Sequence, residues 1–237
     1  MKIIHYAAGI LAAFCIIFTL LVTSVEAVVY WNPGYFEREY AKYQVLDSLP
    51  DMTMDELLRV TDEMMDYLKG QREDLHISAL MDGRQQEFFN EREIAHMEDV
   101  QGLFLKAMAL RRACILGAAL LIALLFVLKA PVSRVLPKAL CLGTGLFLAL
   151  SALLAAVIST DFTKYFVIFH HIFFNNDLWI LDPRTDNLIN IVPEGFFMDT
   201  AARIAGLFAG SVLALFIICL WAILRNRRKD RASHGRA

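Results

Sequence analysis

Charged residues are absent from four long apolar stretches of this 237-residue chain. The stretches run from about Ala7 to Val25, Ala113 to Leu128, Ala139 to Ile158 and Ile204 to Leu224. Each approaches the roughly 20 residues that carry a helix across a bilayer. The second is short as counted. Extending it back to Ala109 brings in Arg111 and Arg112, whose heads can snorkel to the headgroups. None of the four alternates apolar with polar residues as a barrel strand does. The pattern predicts a mainly α, polytopic membrane protein with four transmembrane helices and a small extracytoplasmic cap of helices plus a short β-hairpin.

The expected segments follow in order. Residues 1–27 hold the N-terminus and first span, and 28–108 the first part of the cap. The second span is 109–128, a loop takes 129–138, and the third span is 139–158. The second part of the cap is 159–200, the last span 201–224, and a basic tail 225–237. The first stretch also has signal-peptide features, with Lys2 leading and a faint cleavage site at Val25-Glu26-Ala27. Its apolar core exceeds the roughly 7–15 residues of such a leader, and a Glu beside the cut is unfavourable, so a retained anchor is expected.

Between the spans the period changes. WNPGYFEREY opens the first cap segment with Asn-Pro-Gly turn chemistry and interfacial aromatics. DMTMDELLRVTDEMMDYLKG reads as one amphipathic helix: Thr53 and Glu56 form a capping box, Leu57, Met64 and Leu68 make a stripe, and Gly70 ends it. After a polar link, Asn90 with Glu93 is a second N-terminal cap, and the helical pattern runs on into the second span. In the second cap segment, TKYFVIFHHIFF is too short to span and is expected in or on the interface. DLWILDPRTDNLINIVP looks like two short β-rich runs about a turn, a hairpin. PEGFF follows, with Asp199 or Thr200 as the cap of the last span.

Composition agrees with a membrane chain: 57% of residues are hydrophobic and the mean hydropathy is +0.49. Charge sets the expected orientation. The side holding both termini and the 129–138 loop carries a net +9, with Asp230 its single acid, and the other side carries −11, together the chain's −2. Lys129, Arg134 and Lys138 in one short loop place both termini in the cytoplasm and the cap outside. The RNRRKDR run is an orientation signal near anionic lipid rather than a nucleic-acid site. Cys15, Cys114, Cys141 and Cys219 all fall inside spans, which leaves the cap no disulfide framework, thiolate zinc site or catalytic cysteine.

The candidate chemistry rests on histidines. His96 shares a helix face with Glu93, Asp99 and Val100, and a carboxylate one turn away can orient an imidazole and raise its basicity. The plainer reading is a helix-surface histidine with ordinary neighbours. His170 and His171 sit among aromatic residues, followed at once by Asn175, Asn176 and Asp177. An aromatic belt would explain the rings but not the polar knot. A metal site with Asp99 or Asp177 as oxygen ligands lacks any HExxH-like pattern. No GxSxG, Walker or kinase signature occurs, and the spans carry no mid-membrane charge of the kind transporters use, with Glu26 and Arg203 at their ends. What remains is a metal-free acid–base site at the lipid boundary, with a lipid headgroup or a lipidated protein's anchor as substrate. A non-catalytic membrane sensor for a lipidated ligand, or a histidine/carboxylate metal hydrolase, are the alternatives.

The motifs FNEREIAHMEDV and FHHIFFNNDLWILDPRTDNLI…PEGFF, set between four spans, resemble the bacterial family of integral membrane lipoprotein intramolecular transacylases. The resemblance covers nearly the whole topology. It implies two catalytic histidines in an aromatic-rich pocket where a cap meets the membrane: His96, and His170 of an FHxIFF pattern in which His171 holds the variable position. It implies a diacylglyceryl-modified bacterial lipoprotein as partner, embedded in membrane lipid, with no nucleic acid and no cofactor. The sn-2 acyl chain then moves to the cysteine α-amino group. The expected pocket is lined by Phe88, Phe89, Phe169, Phe173, Phe174, Asn175, Asn176, Asp177 and Trp179. Glu93, Asp99 and His171 would support the catalytic pair, with His96 as base and His170 as acid or oxyanion donor.

Overall fold

The computed structural model describes residues 2–49, 52–81 and 83–234. Asp51, which opens the expected amphipathic helix, and Arg236 of the basic tail lie outside the described residues. Two compact units emerge. The first draws on Met1–Glu26, Ala109–Ser159 and Arg203–Ala237, the second on Ala27–Met108 and Thr160–Ala202.

Among the described residues four helices are long and apolar enough to cross a membrane: α1 (Lys2–Val29), α4 (Glu91–Val127), α5 (Val132–Ile158) and α8 (Glu194–His234), and the first unit draws on all four. Small residues bring their backbones together, as expected where lipid is as apolar as the helices themselves. A Cβ on Gly9 of α1 would meet Val135 at 3.1 Å and Ala139 at 3.3 Å, and one on Gly143 of α5 would meet Ile17 at 3.2 Å. Buried Ala13, Leu140 and Cys219 join α1, α5 and α8 in one cluster, and Ile17, Phe208 and Val212 form another. Leu120 and Val127, above 70% exposed, belong to the wide apolar surface left for lipid. Arg111 does not snorkel alone: its guanidinium pairs with Glu26, with both side chains largely buried. The four cysteines are free thiols.

The expected loop 129–138 is shorter than its polarity suggested, because α5 already begins at Val132 and carries Pro137 inside it. Proline has no N–H to give the carbonyl four residues back. That carbonyl, on Ser133, accepts instead from the Asn226 side-chain amide of α8 at 2.6 Å.

The second unit begins with α2 (Tyr35–Lys42), entered through Gly34 at φ +66°. The rings of Tyr35, Phe36, Tyr40 and Phe196 cluster with centroids 5.4 to 6.0 Å apart, in edge-to-face, tilted and stacked pairs. A 3-10 turn at Val45–Ser48 leads to α3 (Met54–Leu68). Thr53 caps α3 by accepting from the Glu56 N–H at 3.2 Å, but the Glu56 carboxylate goes to Arg59 and Leu80 N–H rather than back to Thr53. The expected stripe of Leu57, Met64 and Leu68 is buried. Gly70 ends the helix at φ +73°, where its missing Cβ leaves room for Leu105.

A hairpin is present in the second unit, but elsewhere in the sequence than expected. Strands β1 (Ser78–Met81) and β2 (Arg84–Glu87) pair antiparallel, through Gly83 at φ +69°, in what the sequence presented as a polar link. The expected hairpin around 178–192 is instead a run of turns and the short helix α7 (Asn187–Ile191). Side-chain acceptors hold it out of the extended form: the Asp186 carboxylate takes the Asp182 N–H at 2.7 Å, and the Asp186 N–H returns to the Asp182 carbonyl at 2.8 Å. Leu188, Ile191 and Val192 are buried along this stretch. Helix α6 (Phe162–Phe173) starts at Asp161, whose carboxylate accepts the Lys164 N–H at 3.0 Å.

The start of α8 also differs from expectation. Pro193 precedes it and Glu194–Phe197 form its first turn, with the Phe196 N–H on the Pro193 carbonyl at 2.9 Å. Asp199 pairs with Lys42, and Thr200 bonds the Phe196 carbonyl at 2.7 Å and the Tyr35 hydroxyl at 2.6 Å. Neither caps a helix end.

Candidate functional site

His96 and His170 both belong to the second unit and meet there. His96 stands on the second turn of α4. That helix starts with a complete reciprocal box: Asn90 Oδ1 accepts the Glu93 N–H at 3.0 Å, and Glu93 Oε2 accepts the Asn90 N–H at 2.7 Å. His170 stands near the C-terminal end of α6. The two ring centroids lie 6.3 Å apart, with planes 36° apart. Each residue is only 7% exposed.

Aromatic rings fill the space around them. Phe174 touches both imidazoles, at 5.4 Å from His96 and 5.7 Å from His170. Trp179 stacks on His170 at 4.7 Å and 26°. Phe169 contacts His170 at 5.5 Å and Phe173 at 4.7 Å. Phe166, which the sequence did not single out, lies nearest of all at 4.3 Å. Its carbonyl is 2.7 Å from His170 Nδ1. A carbonyl only accepts, so Nδ1 carries the proton, and in the neutral ring Nε2 is left with its lone pair. The signal was present: on a helix, i and i+4 spacing places Phe166 directly beneath His170.

Burial dominates the electrostatics. It pushes His96 down to about 4, helped by the neighbouring His170 and Arg92 and opposed by Asp99. His170 is also lowered by burial, against the raising effect of its bond to Phe166 and with a further lowering from His171. Both imidazoles are therefore neutral at physiological pH. His96 Nδ1 and Trp179 Nε1 are buried with no hydrogen-bond partner. Orphaned polar atoms in a ring-lined pocket are an unfinished hydrogen-bonding site.

Glu93 and Asp99 flank His96 along the helix but have other partners. Glu93 is fully buried, and its carboxylate accepts the backbone N–H of Asn90 and of Leu188. Burial raises its pKa, with the N–H bonds opposing. Asp99 accepts the Asn176 side-chain amide at 2.8 Å. Neither makes a hydrogen bond to His96, and the expected carboxylate-oriented imidazole is absent from the described geometry.

The polar knot after the histidines has a mechanical use. Asn176 Oδ1 also accepts the Leu178 N–H at 3.1 Å, Arg92 donates to the Asp177 carbonyl, and Asn90 donates to Asp186 at 2.8 Å. These bonds fasten the segment that leaves α6 to the first turns of α4, and so hold the two histidines in register. Asn175 is exposed. His171 is exposed and meets the edge of Trp179 at 5.3 Å. Phe88 and Phe89 are fully buried and perpendicular to each other at 4.9 Å. The Phe88 backbone bonds Ile77 and the Asn187 side chain, which places it in the packing of the unit. Among the described residues no three His, Cys, Asp or Glu side chains gather as a metal-ligand set.

The model of the family described as "Lipoprotein intramolecular transacylase Lit" matches residues 10–197. Among solved structures, the chain is similar to the membrane-integral lipoprotein intramolecular transacylase Lit of Bacillus cereus, with 24% identity, 96% of this chain and 100% of that chain covered, and a TM-score of 0.80. A variant of that protein with one histidine replaced by alanine matches at 25% identity over 94% of this chain and 96% of its own, with a TM-score of 0.74. A second variant, with arginine at that histidine, matches at 25% over 95% and 94%, with a TM-score of 0.73. No curated protein matches.

Proposed function

The chain belongs to the lipoprotein intramolecular transacylase family, and on that premise we propose that it moves the sn-2 acyl chain of a diacylglyceryl-modified cysteine to that cysteine's own α-amino group. The product is an N-acyl, S-monoacylglyceryl lyso-form lipoprotein. The single observation that carries this reading is the pair of buried neutral imidazoles, 6.3 Å apart, inside a wall of aromatic rings.

Attack of the amine on the sn-2 ester carbonyl closes a ring through N, Cα, Cβ, sulfur, two glyceryl carbons, the ester oxygen and the carbonyl carbon. A floppy chain closes such a medium ring slowly. Rigid apolar walls that hold the acyl chains and bring amine to ester recover much of that entropy. The amine gives one proton as the N–C bond forms, and the departing glyceryl oxygen takes one as the C–O bond breaks. The reaction is an isomerisation and needs no external acyl donor, metal or covalent acyl-enzyme.

Geometry favours His170 as the proton carrier. Its Nδ1–H is held by the Phe166 carbonyl, so Nε2 is free to take the amine proton and return it to the leaving oxygen. His96, held neutral near 4, is a poor base but a stable N–H donor for the oxygen on which negative charge develops. This reverses the order expected from sequence, where a carboxylate was to strengthen His96. On the orientation expected from charge, both termini are cytoplasmic and the site is extracytoplasmic, on the membrane face where lipoproteins carry their anchors.

The test is tandem mass spectrometry of a lipoprotein's N-terminal lipopeptide, from a bacterial strain whose lipoproteins otherwise stop at the diacylglyceryl form. Intact mass is unchanged by the reaction, so the fragment with an acyl chain on nitrogen is the readout. Expression of this chain produces that fragment, and His96→Ala or His170→Ala abolishes it while the protein stays folded. An unchanged diacylglyceryl fragment from well-expressed wild-type protein overturns the reading.

A further inference from the structure

A second feature lies in the first unit, in the stretch where the N-terminal turns of α5 meet the C-terminal turns of α8. A cavity of about 120 Å³ opens there, lined by Arg134, Lys138, Ile223, Asn226, Arg227 and Asp230. Arg134 gives one arm to Asp230 at 2.7 Å, and Asn226 gives its amide to the Ser133 carbonyl at 2.6 Å. Lys138 and Arg227 have no carboxylate partner among the described residues. Three cations against one carboxylate leave the lining positive.

We infer that this cavity binds the phosphodiester of an anionic glycerophospholipid. The spacing suits a phosphate: Arg134 and Lys138 are one turn apart on α5, and Arg227 approaches from α8, so donors converge from two helices onto one anion. Its depth in the bilayer fits a headgroup. Trp221 is exposed one to two turns away, with the Arg225 guanidinium 5.3 Å over its ring, the pairing of belt aromatic and cation found at headgroup level. Ile223 supplies an apolar wall, and exposed Leu220 and Leu224 continue the apolar surface along which acyl chains can lie. Basic pockets between helices at this level are where anionic headgroups dock. A soluble phosphate shares the anion chemistry but makes no use of the apolar surface.

The experiment compares two double variants that remove equal charge. Lys138→Gln with Arg227→Gln empties the cavity of its two unpaired cations, and Arg228→Gln with Lys229→Gln removes two cations of the same tail that do not line it. Native mass spectrometry of protein taken from nanodiscs containing phosphatidylglycerol is expected to show one retained lipid on wild type and on the Arg228/Lys229 variant. The Lys138/Arg227 variant loses it, and Lys138→Arg with Arg227→Lys keeps it. Equal loss from both charge-removing variants overturns the inference in favour of diffuse surface attraction. Stabilisation by inorganic phosphate in phosphatidylcholine nanodiscs, dependent on Lys138 and Arg227 and matching that of phosphatidylglycerol, assigns the cavity to a soluble anion and overturns the lipid. The readout is independent of acyl transfer, so its failure leaves the proposed reaction standing.

Discussion

The indole of Trp179 lies over the imidazole of His170, centroids 4.7 Å apart and planes 26° from parallel, while its own N–H is buried without a partner. An aromatic face stabilises an imidazolium against which burial works, by about 0.5–2 kcal/mol. Trp179→Leu is expected to lower the His170 pKa further and cut turnover by roughly tenfold. Trp179→Phe keeps the face and tests the N–H alone. A pH profile of turnover separates the two, because loss of the stack moves the acid limb downward and loss of the N–H does not. Identical profiles for both variants would sink the stacking role.

Phe174 is the ring shared by His96 and His170. Phe174→Ala leaves a cavity beside both imidazoles and is expected to cost about 3–5 kcal/mol of stability. Thermal denaturation would show the loss, and turnover should fall with it because both histidines lose a ring they pack against. Phe174→Leu restores most of the volume and should recover stability more fully than activity.

Two carboxylates beside His96 make opposite predictions. Asp99→Asn can still accept from Asn176, so activity should stay within a few-fold of wild type, whereas a carboxylate that oriented His96 would cost about 10² or more on removal. Glu93→Gln places an amide N–H against one of the backbone N–H groups that Glu93 now satisfies. It should cost about 1–3 kcal/mol. Measured per folded molecule, its turnover should match wild type.

Acid should act on folding and on chemistry in the same direction. Both histidines have pKa values below the ordinary 6.5, His96 at about 4. Between those values the unfolded chain binds protons that the folded second unit refuses, so protonation favours unfolding. Stability is complete above about pH 6.5 and falls as pH drops towards 4. His96→Phe should flatten that slope in thermal denaturation. Turnover should persist below pH 6.5, where a base with an ordinary imidazole pKa would already be half protonated.

The spans were legible because one physical requirement, satisfying every backbone group inside lipid, writes itself into long uninterrupted apolar runs. The box at Asn90 and Glu93 was legible because it is local. The hairpin was misplaced for a related reason. Gln85 and Gln86 are poor strand formers and lie exposed, so β2 looked like a link, although Asp82-Gly83 is a strong hairpin signal. The run Leu188–Val192, rich in β-branched residues, looked like a strand, but the buried Glu93 carboxylate accepts the Leu188 N–H and the run winds into α7 instead. For the candidate site, His96 and His170 stand out from their sequence surroundings. The partners of Glu93 and Asp99 could not, because Leu188 and Asn176 are 95 and 77 residues away in sequence. Local spacing offered His96 as their nearest neighbour, and tertiary contacts overrode it.

Pro137 and Asn226 form a pair of another kind. The proline strips one carbonyl of its helical partner, and an amide from a distant helix takes the vacancy. Each residue is useful chiefly in the company of the other. Alanine at 137 would return the carbonyl to its own helix and release 226 from any demand on its side chain, while loss of the amide alone leaves the acceptor bare. Among descendants of this chain the two positions should therefore drift together, the proline going first or neither going at all.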